Sequence, residues 1–288
     1  MRPADSLQLR RLALAVSVLD DIDMVPLDDG LLLTGAAPIE VGWFEVRRAL
    51  AGAQPESDDP DESARARTRL SSWLRGRRIA ADTDPHELRA KARPVGLPVD
   101  HQLHPGPDWV RQRVLGDTVD LGIGFVGVGP DPDEVVVVPQ GALAATGIDP
   151  APWWPAAKEY LERMGALAAG RLSGNPGNPL LRPFGDCDVV TLVCARTLRT
   201  ALCAADGTGM RTAAVPMRRR GWLDLSRIDP AFTIAAAAAT APAERGFSRP
   251  LLLTVDEVTC APRGGRPADL VLRDPASAAP ALRSVLYR

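Results

Sequence analysis

Residues 93–107 hold four prolines, Pro94, Pro98, Pro105 and Pro107, and show no helical period. Proline fixes φ, lacks a backbone donor and biases its predecessor toward extended backbone, so this stretch is extended. It separates two differently patterned parts of the chain. Before it, apolar residues recur at helical spacing; after it, short β-rich runs alternate with helices. The pattern predicts an α+β protein, with a mostly helical N-terminal part followed by a mixed sheet with packed helices. The expected organisation is a helical region over 1–92, a proline-rich linker or strap over 93–107 and an α+β domain over 108–288.

In the first part, Ser6 can cap a helix that carries Leu9, Leu12, Val16 and Leu19 at helical spacing. Asp28-Asp29-Gly30 is a turn, and Leu31-Leu32-Leu33 a short strand. Helices are predicted over Ile39–Leu50 and Ser63–Arg78, with an acidic loop over 53–62 between them. In the second part, Val119–Val128 and Glu134–Pro139 flank a Gly-Pro-Asp-Pro-Asp turn and read as a hairpin. The clearest helix is Trp153–Leu172, whose apolar stripe comprises Trp153, Ala157, Tyr160, Leu161, Met164, Leu167, Ala168 and Leu172. Further helices are expected over Asp188–Ala204 and Ala231–Ala241, and strands over Thr212–Met217, Leu251–Val255 and Leu270–Leu272.

Composition bounds the functional classes. The 288 residues are 45% hydrophobic and 24% charged, so the chain needs no disulfide or metal to fold. The four cysteines form no CxxC pair and match no zinc-ligand spacing, which suits buried thiols in a reducing compartment. No signal peptide and no run near the ~20 apolar residues of a membrane span are present, so a soluble, cytoplasmic protein is expected. A net charge of −2 provides no basic field for nucleic acid. Of 34 basic residues only Lys91 and Lys158 are lysine, leaving 34 − 2 = 32 arginines, which makes any single arginine less informative.

Several residue groups could carry chemistry. Gly122-Ile123-Gly124-Phe125-Val126-Gly127 matches GxGxxG, but Gly129-Pro130-Asp131-Pro132 follows where a phosphate-binding helix would have to open. A nicotinamide or flavin cofactor is therefore not expected. His101 and His104, near Asp100 and Asp108, could ligate a metal. Asp256 and Glu257 follow a predicted buried strand, a common place for acid, base or metal-ligand carboxylates. Asp224 and Asp229 are candidates on the same ground. Cys187 lies near a predicted helix N-terminus, where a thiol is acidified, while Asp186 and Asp188 oppose that. Arg218, Arg219 and Arg220, beside Trp222, could bind phosphate or nucleic acid. Trp153 and Trp154 could face a partner, because tryptophan is enriched at interface hot spots.

Three stretches, RPVGLPVDHQLHPGPDW (93–109), AVPMRRRGWLDLSRIDPAF (214–232) and RGFSRPLLLTVDEV (245–258), resemble conserved hypothetical proteins of high-GC Gram-positive bacteria. The resemblance implies no activity and no site. The residues themselves point first to a non-enzymatic binding or interaction protein with a protein partner or a second copy of itself. A metal-dependent hydrolase using His101, His104, Asp256 and Glu257 is the alternative, and a nucleic-acid binder using the basic clusters a third.

Overall fold

The computed structural model describes residues 3–35, 37–50, 52–102, 104–114, 118–129, 132–174, 180–205, 207–223 and 230–260. In chain order the first elements are α1 (Pro3–Asp20), β1 (Met24–Pro26), β2 (Gly30–Leu33), β3 (Ile39–Gly42), α2 (Trp43–Ala49), α3 (Pro60–Asp82) and α4 (Pro85–Lys91). There follow β4 (Ala92–Pro98), β5 (Arg111–Val114), β6 (Val119–Val126), β7 (Val135–Val136), α5 (Gln140–Ala145) and α6 (Trp154–Ser173). The last are β8 (Leu180–Leu181), α7 (Val189–Leu192), α8 (Arg196–Ala204), β9 (Met210–Met217), β10 (Arg220–Leu223), α9 (Pro230–Ala239), β11 (Leu251–Thr254) and β12 (Val258–Cys260). The expected strand Leu270–Leu272 and the carboxylates Asp224 and Asp229 lie outside the described residues. None of the described helices is long and apolar enough to cross a membrane.

The residues group into two units that interleave along the chain. One takes residues up to 92, 102–110 and 123–154; the other takes 93–101, 111–122 and the described chain from 155 onward.

In the first unit, β1, β2 and β3 form an antiparallel sheet. Leu9, Leu12 and Val16 of α1, Leu31 and Val41 of the sheet, Trp43 and Val46 of α2, and Leu70 and Leu74 of α3 share one buried cluster. The helix expected over Ile39–Leu50 begins only at Trp43. Ile39 and Val41 are β-branched and pair with Leu33 and Leu31, and Gly42 closes the strand. The α4 helix, unforeseen in the sequence, is capped by Asp84, whose side chain accepts from the His86 and Glu87 N–H groups, with Pro85 in the first turn. The hairpin after the glycine motif is present: Phe125 and Val126 pair antiparallel with Val136 and Val135, and Gly127 takes φ +64° in the turn.

The second unit is built on a five-stranded sheet in the order β12-β11-β9-β10-β8. Each of its pairings is antiparallel rather than mixed; tight reversals join β9 to β10 and β11 to β12, and longer connections bring β8 to β10 and β11 to β9. Residues 212–216 of the central strand β9 are all buried, as expected for a strand covered on both faces. A bulge opposite Arg220–Trp222 accommodates Pro216, which has no N–H to give the ladder. α8 packs on β9 and β11, and α9 on β9. The helix expected over Asp188–Ala204 is two helices, broken at 193–195.

Candidate functional site

A cavity of about 150 Å³ lies in the second unit. Ala168 and Leu172 of α6 form one wall, and Leu181 of β8 with Phe184 of the following turn another. Leu192 of α7 and Leu198 of α8 close the apolar lining. Arg171 and Arg182 complete it, and both side chains reach solvent.

Local sequence fixes these walls. A Cβ on Gly165 would lie 2.5 Å from Ala195 Cβ and 2.7 Å from Thr197 Oγ1, so only glycine lets α6 approach α8 this closely. The Arg196 and Thr197 N–H groups donate to Glu162 Oε1 and Oε2, each at 2.9 Å, and Thr197 Oγ1 donates to the Glu162 carbonyl at 2.9 Å. A carboxylate from α6 thus satisfies donors that α8 cannot satisfy itself and complements its positive end. This tertiary cap explains the break at 193–195. α7 is capped by Asp188, which accepts from the Thr191 N–H at 2.7 Å, while Thr191 Oγ1 accepts from the Gly96 N–H at 2.9 Å.

The carboxylates that follow Phe184 are already paired. Asp186 accepts from the Arg93 guanidinium and from the Tyr160 hydroxyl at 3.1 Å. Asp188 accepts from Arg218 Nε at 2.7 Å, and both side chains are largely buried. Neither Arg171 nor Arg182 makes an ion pair or hydrogen bond with any described residue. The cavity is therefore lined by apolar side chains together with two arginines that no described carboxylate pairs.

Of the residues singled out in the sequence, His104, Trp153 and Trp154 belong to the first unit and His101, Arg218, Arg219, Arg220, Asp256 and Glu257 to the second. His101 and His104 are both buried. His104 Nδ1 accepts from the Gly106 N–H at 3.0 Å, and its ring stands edge-on to Trp109 at 5.5 Å. Asp108 is buried too, with Oδ2 accepting from Trp73 Nε1–H at 2.9 Å and Oδ1 from the Gly141 N–H at 2.8 Å. The histidine loop is thus held by structural hydrogen bonds. Asp256 sits exposed in the β11–β12 turn and pairs with Arg196 at 3.2 Å, and Glu257 shapes the same turn through its backbone bonds to Thr254. Among the described residues, no group of three or more His, Cys, Asp or Glu side chains is placed to hold a metal ion. Arg218 is consumed by Asp188, while Arg219 and Arg220 are exposed at the β9–β10 turn. Trp153 and Trp154 are half-buried, and Trp153 meets Phe125 edge-on at 6.1 Å.

No family model, no curated protein and no solved structure matches this chain. The site must therefore be judged on its own chemistry.

That chemistry excludes an activated Cys187. Burial, then Asp188 and Asp186, push its thiol up to about 12. Burial likewise pushes Cys194 up to about 12, against the opposing charge of Arg199. A protonated, buried thiol is neither a nucleophile nor an easy target for alkylation. We expect Cys187, Cys194 and Cys203 to resist a thiol reagent in the folded protein and to react after denaturation. Cys187 and Cys194 also set a pH dependence. Their folded values lie above the ordinary 9.0, so between about pH 9 and pH 12 the unfolded chain binds fewer protons. Stability from this source is complete below pH 9 and falls as pH rises. Urea midpoints at about pH 8 and about pH 10 measure the fall.

Proposed function

We propose that this is a non-enzymatic binding protein whose ligand is a small molecule held in the cavity between α6, β8, α7 and α8. The observation that carries this is the lining itself: a concave surface of leucine, valine, alanine and phenylalanine side chains joined by two arginines, a combination of apolar walls and polar groups that suits a small-molecule site. A space of this size lined by leucine and phenylalanine admits a benzene-sized group. The test is native mass spectrometry of protein purified from its own host, combined with thermal melts in benzene-saturated buffer. A non-covalent mass excess that disappears on denaturation, or a benzene-induced rise in melting temperature abolished by Leu198→Trp, is expected. A bare mass with no benzene effect overturns the proposal.

Self-association is a second reading, favoured by one observation. Leu7, Leu14 and Val18 lie on one face of α1, opposite the buried Leu9, Leu12 and Val16, and are 50%, 52% and 80% exposed. Their spacing, with Arg11 between, follows the four-three-four pattern of a helix-pairing seam. Sedimentation of the wild type and of Val18→Asp tests it: a concentration-dependent multimer lost in the variant supports pairing through α1, and a monomer in both removes it.

A further inference from the structure

We infer that the cavity takes an amphipathic anion: a compact apolar body of about six carbons, judged from its volume, carrying an oxygen-acid head that Arg171 and Arg182 receive. This rests on the proposed binding function and goes further, by naming the ligand's chemistry.

In a chain with 32 arginines, an arginine beside a cavity means little by position alone. What sets these two apart is the combination of a missing partner and a place in the cavity lining; Arg219 and Arg220 are also unpaired among the described residues, but they do not line it. Arg93, Arg218, Arg196 and Arg199 of the same unit are each engaged, by Asp186, Asp188, Asp256 and the carbonyls of Val193 and Val255 respectively. Arg171 and Arg182 make no ion pair or hydrogen bond with any described residue. The nearest carboxylates in sequence, Asp186 and Asp188, are already held by Arg93 and Arg218.

The two arginines also approach from different elements. Arg171 lies in the last turn of α6, and Arg182 directly follows β8. Both line a space whose other lining side chains are aliphatic and aromatic. A neutral apolar ligand would use only the walls and leave the cations in water. A polyanion without an apolar body would use only the cations. A single molecule that satisfies both is an acid on a short aliphatic or aryl body. Guanidinium recognises carboxylate and phosphate by the same forked geometry, so the shared feature is an oxygen-acid head.

The test is calorimetric titration of the full chain with hexanoate, hexyl phosphate and hexanamide. Wild type, Leu198→Trp and the double variant Arg171→Gln/Arg182→Gln are compared. The two glutamine substitutions are at exposed, unpaired positions, so the double variant keeps its fold, and its melting temperature checks that. We expect an acid to bind roughly tenfold or more tightly than hexanamide, with that advantage lost in the double variant and reduced at about 1 M salt. Preference for hexanoate or for hexyl phosphate identifies the head. Equal binding of acid and amide, both blocked by Leu198→Trp, overturns the anionic head but leaves the cavity a binding site. No binding of any probe, with no benzene effect on melting, overturns both.

Discussion

Replacing Asp120 with alanine is expected to destabilise the second unit by about 3 kcal/mol. Asp120 lies on β6 with no exposed surface, directly across the ladder from Arg113 of β5. Its Oδ1 accepts from Arg113 Nε at 2.7 Å, and its Oδ2 is 3.1 Å from Arg111 Nη1. Breaking a buried ion pair usually costs about 3–5 kcal/mol, because the surviving charge is left dry. Here the surviving charges are the arginines, whose side chains are 25% and 42% exposed. They can rehydrate, which places the effect at the lower end of that range. Asp120→Asn keeps an acceptor but loses the charge, so its effect is smaller. Because the carboxylate is buried, moderate salt weakens the wild-type pair little. Urea unfolding of the three proteins measures this through the midpoint, and a loss under about 0.5 kcal/mol for Asp120→Ala places the pair with ordinary surface ion pairs.

Asp120 also illustrates what the sequence conceals. Val119–Val128 reads as a strand from its composition, and β6 forms there, but a polar residue within that run looks solvent-facing. Its burial depends on neighbouring strands, and one of them, Arg111–Val114, with alternating charge and little apolar content, gives no strand signal. The α+β class was legible because it depends on periodicity. The α1, α3 and α6 helices each carry one apolar face, and β9 and β11 are apolar runs of strand length. Boundaries failed where a tertiary contact overrides propensity. The 188–204 run lacks proline and reads as one helix, yet Glu162 on a different helix takes the Arg196 and Thr197 donors and divides it. Leu167 falls in the apolar stripe of α6 and is nonetheless 49% exposed.

The candidate site was less legible than the fold for a related reason. Chemistry-bearing residues attract notice in a sequence, and here His104, Asp108 and Arg218 turn out to serve structural hydrogen bonds or ion pairs. The cavity is built from leucines, valines, a phenylalanine and an alanine that are individually unremarkable. Its distinguishing residues, Arg171 and Arg182, are marked by lining it without a partner of their own among the described residues. A lack of partners has no sequence signature in a chain this rich in arginine. Even the cysteine next to the site, which a helix N-terminus would acidify, is governed by its burial and by Asp188 and Asp186.

The second large effect falls on a glycine that no pattern marks. Gly246→Ala is expected to destabilise the second unit by about 3 kcal/mol. Residues 244–247 run alongside the end of β9, where Arg218 N–H donates to Glu244 O at 2.8 Å, Gly246 N–H to Pro216 O at 3.0 Å and Phe247 N–H to Val215 O at 2.7 Å. A Cβ on Gly246 would overlap the Val215 carbonyl oxygen and lie 3.2 Å from the Met217 backbone nitrogen. β9 is the central strand and cannot yield, so the 244–247 segment must move away. That forfeits the three hydrogen bonds, at about 1 kcal/mol each, and loosens the buried Phe247. Gly170→Ala makes the same chemical change on α6, where nothing lies within 4 Å of the added carbon. There the backbone is helical, so alanine is expected to stabilise by up to about 1 kcal/mol. Thermal or urea unfolding of both variants should therefore show opposite signs. If Gly246→Ala matches the wild type, residues 244–247 are not pinned to β9, and the edge of the sheet ends at Met217.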